Sequence, residues 1–92
     1  MKSYPVLRST LEGIFGSGVG LSDDDATSSL TRDLSHRPFL DALSVEIDAA
    51  MKDSELSWRH LLEEAEVAYF DTDEEAKAFV VQRIVKLVIQ PR

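Results

Sequence analysis

Apolar residues recur along this chain at spacings of three and four, the mark of helices that each bury one face. Leu7, Leu11, Ile14 and Phe15 set out a first helix over 5–15, with Pro5 acceptable in its opening turn. It is expected to stop at Gly16-Ser17-Gly18-Val19-Gly20, because each glycine costs a helix about 1 kcal/mol relative to alanine; this stretch reads as the one flexible joint. Ser22, followed three residues later by Asp25, resembles a capping box, so a second helix starts near Asp23. Its apolar stripe is thin: Ala26, Leu30 and Leu34.

Pro38 suits the first turn of a third helix, in which Phe39, Leu40, Leu43, Ile47, Ala50 and Met51 form one face. Asp41, Glu46 and Asp48 fall largely outside that stripe, as a solvated face requires. A short break at Lys52-Asp53-Ser54 predicts an antiparallel return through a fourth helix, from about Glu55 to Tyr69, with Trp58, Leu61, Leu62, Ala65, Ala68 and Tyr69 inward. Thr72 and Glu75 make a second capping box ahead of the last helix, whose inward side is Ala76, Phe79, Val80, Ile84, Leu87 and Val88. The second half of that helix is rich in β-branched residues (Val80, Val81, Ile84, Val85, Val88, Ile89), so a C-terminal strand is the alternative there. The pattern as a whole predicts an all-α fold: a compact antiparallel bundle of four to five helices, one domain over 1–92.

Charge narrows the partners. Ten Lys and Arg against seventeen Asp and Glu give a net charge of -7, which repels phosphate backbones and anionic membrane surfaces and attracts cationic proteins. The chain has no cysteine, which excludes disulfides, thiolate nucleophiles and Cys-type zinc sites. The mixed polar and apolar start and the lack of a long apolar run predict a cytoplasmic protein without a membrane span.

Candidate chemistry is sparse. Gly16-x-Gly18-x-Gly20 follows a helical pattern rather than a strand and runs into three aspartates, so a plain linker is expected instead of a phosphate cradle. Asp71, Asp73 and Glu75 match the first, third and fifth ligands of a calcium loop, but Ala76 stands where the sharp turn needs glycine and Gln82 where a glutamate must close the cage. Helix capping explains these acids better. His36 and His60 share no metal-ligand spacing and no nucleophile motif accompanies them. Asp53-Ser54-Glu55 departs from the Asp-Ser-Leu of phosphopantetheine carriers by a charge in place of the leucine. The expectation is a non-enzyme with no cofactor and no metal.

What remains is distributional. Between Arg59 and Lys77 lie seven acids (Glu63, Glu64, Glu66, Asp71, Asp73, Glu74, Glu75) and no Lys or Arg. This lobe reads either as a solubilising surface or as a docking site for a basic protein, with Trp58, Tyr69 or Phe70 as an aromatic anchor at its edge. The expected contact residues are Asp71, Asp73, Glu74 and Glu75, then Glu63 and Glu66, with Asp23, Asp24 and Asp25 as a second patch and Tyr69 and Phe70 as anchors.

The order of these features resembles the immunity proteins of bacterial contact-dependent growth inhibition. The resemblance covers most of the chain: Tyr4-Pro5-Val6-Leu7, the aromatic end of the first helix at Ile14-Phe15, the acidic helix start from Ser22 to Ala26, and above all Phe39-Leu40-Asp41-Ala42-Leu43 through Glu46-Ile47-Asp48, then Glu55-Leu56. The chain departs from the pattern at Gly16 to Gly20, where further aromatics are expected, and in its β-branched C-terminal segment. The resemblance implies a stoichiometric inhibitor in a 1:1 heterodimer with the toxic C-terminal domain of a large secreted effector, commonly a nuclease whose basic surface an acidic inhibitor can cover. Two other readings remain, an acidic helical adaptor and an acyl-carrier-like protein.

Overall fold

A computed structural model describes residues 4–90 as five helices, with no strand among the described residues. Helix α1 (Pro5–Thr10) widens without a break into a π-helical turn (Leu11–Phe15). It is followed by α2 (Asp23–Asp33), α3 (Arg37–Lys52) and α4 (Trp58–Glu64). Helix α5 (Asp73–Val80) passes through a second π-helical turn (Val81–Val85) into a last turn (Lys86–Val88). Each helix sends its stripe into one core, whose fully buried side chains include Leu7 and Leu11 from the first helix, Leu30 and Leu34, Leu43, Leu62, and Val80 and Ile84.

The C-terminal segment is helical because burial outweighs propensity. Helix formation costs a β-branched residue about 0.5 kcal/mol relative to alanine, whereas burying a Val or Ile side chain returns roughly 1.5–3 kcal/mol. Val80, Ile84 and Val85 are all buried, and the strand alternative falls away.

Helix α4 is shorter than its pattern predicts. It runs from Trp58 to Glu64 instead of from Glu55 to Tyr69, and a Schellman turn ends it. The Glu66 amide donates to the Glu63 carbonyl at 3.0 Å and the Val67 amide to the Leu62 carbonyl at 3.0 Å, with Glu66 in the left-handed region at φ 59°. No glycine marks this reversal, so the sequence hides it. Ala68 and Tyr69, expected inward, consequently lie outside the helix and are exposed, and Met51 on α3 is exposed as well.

The glycine stretch is also less of a joint than expected at its first residue. A Cβ on Gly16 would sit 2.6 Å from the Glu12 carbonyl oxygen, so only glycine fits there. The next amide, Ser17, donates to the Glu66 carbonyl at 2.7 Å and ties this loop to the α4 turn.

Two helices begin without enough caps of their own and borrow carboxylates from neighbours. Tyr4 offers α1 no side-chain cap, and Glu46 of α3 supplies one: its two oxygens accept from the Val6 and Leu7 amides at 3.1 and 2.9 Å. Glu46 is therefore half-buried at the α1–α3 contact, contrary to its expected place on the solvated face. Beside it, the hydroxyl of the largely buried Tyr4 donates to Asp53 at 2.7 Å. That hydrogen bond, then burial, then the charges of Asp53 and Glu46 push the Tyr4 hydroxyl up to about 12.

Candidate partner-binding surface

The acids singled out in the sequence divide into those turned to structural work and those left outward. At the start of α4, Ser57 caps its own helix by accepting from the His60 amide. Asp73 Oδ1 reaches across from α5 to accept from the Arg59 amide at 3.0 Å and from the Ser57 hydroxyl at 3.1 Å. Asp73 is thus a cap donated by one helix to another. Glu75 closes the box with Thr72, whose hydroxyl accepts from the Glu75 amide and donates to its carboxylate, as the spacing predicts. The corresponding box at Ser22 and Asp25 forms through the Asp25 amide. Two of the three acids in the calcium-loop reading are committed to these caps.

Arg59 also folds back into the lobe and donates to the Asp71 carbonyl at 3.1 Å, so a cation lies beside the run of acids. The second patch is likewise partly neutralised. Arg83, only 21 % exposed at its side chain, pairs with Asp23 at 3.0 Å, donates to the Asp23 carbonyl and to Thr27, and lies over the rings of Phe15 and Phe79 at 5.2 and 5.9 Å. Through Phe79, which packs on Phe70 on one side and lies under Arg83 on the other, this paired patch connects to the end of the 63–75 lobe.

The outward set is smaller than the sequence suggests. Glu63, Glu66, Asp71, Glu74, Asp24 and Asp25 are exposed, and among the described residues their carboxylates have no hydrogen-bonding or ionic partner, Asp25 using only its backbone amide in the cap. Of the three aromatics proposed as anchors, Trp58 is buried in the core at 5 % exposure and Phe70 packs on Phe79 with ring centroids 5.7 Å apart. Tyr69 alone projects, 83 % exposed, on the irregular segment between the α4 turn and α5. Phe70 and the Ser17–Glu66 bond pin that segment on either side of it.

Sequence reasoning missed two features. Glu46 follows Leu43 by three and precedes Ala50 by four, so it sits on the buried stripe of α3, and an acid at such a position is a readable signal for an internal cap. The second is an open groove between α1, α2 and the start of α3, about 500 Å³, with Asp33 in its lining. Neither histidine is buried: His36 precedes α3 without capping it, and His60 pairs with Glu64 at 2.7 Å. Ser54 lies in the bend between α3 and α4, three residues ahead of the α4 cap and away from a helix start. Among the described residues no group of three or more acids and histidines is arranged to hold a metal ion, and no helix is long and apolar enough to cross a membrane. Comparison with protein-family models, with curated proteins and with solved structures returned no match.

Proposed function

We propose that this chain is an immunity-type inhibitor that binds the basic toxin domain of a contact-dependent growth inhibition effector, a nuclease by class, as a 1:1 cytoplasmic complex and occludes its cationic surface. The reading is carried by the outward carboxylates of Glu63, Glu66, Asp71 and Glu74, which lie on either side of the exposed Tyr69 along the sequence, on a chain of net charge -7. Carboxylates that no internal cation neutralises are available to the Lys and Arg with which a nuclease holds its polyanion. A pinned segment presents Tyr69 with little ordering cost, which suits an aromatic anchor at the edge of a charged surface. Inhibition by coverage demands no chemistry of this chain.

The test is binding to the C-terminal domain encoded by the very large effector gene expected directly upstream. Lysine at Glu63, Glu66 and Glu74 together should weaken that complex by at least about tenfold and flatten its salt dependence, while leaving the fold intact. Unchanged affinity with unchanged salt dependence removes this surface from the interface. A domain that fails to bind the unaltered chain removes the proposal.

A further inference from the structure

The groove between α1, α2 and the start of α3 has a composition suited to one kind of side chain. Val6, Ile14 and Phe39 give it an apolar wall, and the hydroxyls of Ser9 and Ser29 line it without hydrogen-bond partners among the described residues. Among the described residues that line it, Asp33 alone carries a charge. Its carboxylate has no cationic or hydrogen-bonding partner there, although it is only partly exposed. Asp33 is moreover the last residue of α2, at the negative end of the helix dipole, where an acid is disfavoured by roughly 0.3–1 kcal/mol. An acid left unpaired in the less favourable place, as the one charge among the described residues lining this groove, offers a cation from outside its single ionic partner there. Gly13 leaves the slot open, since a Cβ there would meet nothing within 4 Å.

We infer that this groove receives an arginine side chain of the basic partner, its aliphatic stem along Val6 and Ile14 and its guanidinium beside Asp33 and Phe39; the inference rests on the inhibitor reading above. Arginine suits the slot better than lysine because its planar fork matches a carboxylate and stacks on an aromatic ring, and it is the more weakly hydrated cation. The α1–α2 face would then hold a specific anchor point, apart from the diffuse attraction of the 63–75 lobe.

The probe is N-acetyl-arginine N-methylamide, titrated into the isotope-labelled full chain and followed by NMR, with the uncharged citrulline analogue as control. Amide shifts should cluster at Ser9, Gly13, Ser29 and Asp33, be absent with citrulline, and show about tenfold weaker binding in Asp33→Asn, the fold-change of one charge-assisted hydrogen bond. Gly13→Leu fills the slot and should abolish the shifts; circular dichroism checks its fold, and Asp33→Asn decides if it does not fold. Shifts confined to residues 63–75, or an equal response to citrulline, overturn the inference. Its failure is separable from that of the proposed function. A toxin domain that binds the Gly13→Leu chain unimpaired sinks the groove and spares the inhibitor reading, whereas arginine bound in the groove of a chain that no basic toxin domain captures does the reverse.

Discussion

Glu46 and Asp73 perform the same task in two regions, and the difference between them shows how environment sets the worth of a carboxylate. Glu46 is half-buried at the α1–α3 contact and uses both oxygens on two backbone amides of a helix start that has no other cap. Asp73 is exposed, uses one oxygen for an amide and a hydroxyl, and supports a helix that Ser57 already caps. Water can replace Asp73 at little cost. It reaches the Val6 and Leu7 amides less easily, and an unsatisfied buried donor costs the full desolvation penalty.

The comparison makes a ranked set of predictions. Glu46→Ala is expected to lower stability by about 2–3 kcal/mol, since it removes two hydrogen bonds to a charged acceptor at once; a urea midpoint within error of the parent would place α1's cap elsewhere. Alkaline titration should strike the same corner. The Tyr4 hydroxyl is raised from 10.0 to about 12, so the fold favours its neutral form: that contribution is complete below pH 10 and is lost as pH climbs toward 12. Tyr4→Phe should remove this part of the pH dependence, and a denaturation midpoint that falls equally in both proteins would refute the assignment.

Asp73→Ala should cost only about 1 kcal/mol, the ordinary worth of an exposed cap, read as a loss of α4 protection in amide exchange. Glu66→Gly works in the opposite direction. A non-glycine residue in the left-handed region carries strain, so glycine at φ 59° is expected to stabilise by up to about 1 kcal/mol, visible as a higher melting temperature. Smallest of all is the triple lysine replacement at Glu63, Glu66 and Glu74. It should move stability by only about 0.5 kcal/mol, because none of these carboxylates holds a partner in the fold, and a larger loss would mean that they are structural after all.

The helices were legible where an apolar stripe and a boundary signal agreed. Ser22 and Thr72 mark real caps, and the stripes Leu7-Leu11-Ile14, Ala26-Leu30-Leu34, Leu43-Ile47-Ala50 and Ala76-Val80-Ile84 are the buried ones. Legibility failed where the determinant is tertiary. Nothing local tells that the chain reverses at Glu66, because a glutamate there is held left-handed by the packing of Val67 and by the bond from Ser17. The surface acids were equally opaque. Composition counts Asp73 and Glu74 alike, yet one is committed to a neighbouring helix and the other is not, and only the path of the chain distinguishes them. The groove was invisible for the same reason, since its walls come from three helices.

The two wide turns at Leu11–Phe15 and Val81–Val85 carry a consequence for tolerance to length. A π-helical turn is an ordinary helix carrying one surplus residue, so each marks a point where the chain can lose a residue and rewind tightly without rotating what lies on either side. Excision of the exposed Gln82 should therefore leave Ala76 and Leu87 facing the directions they face now, while the same excision from the regular winding of α3 would swing every later side chain of that helix about 100° out of place.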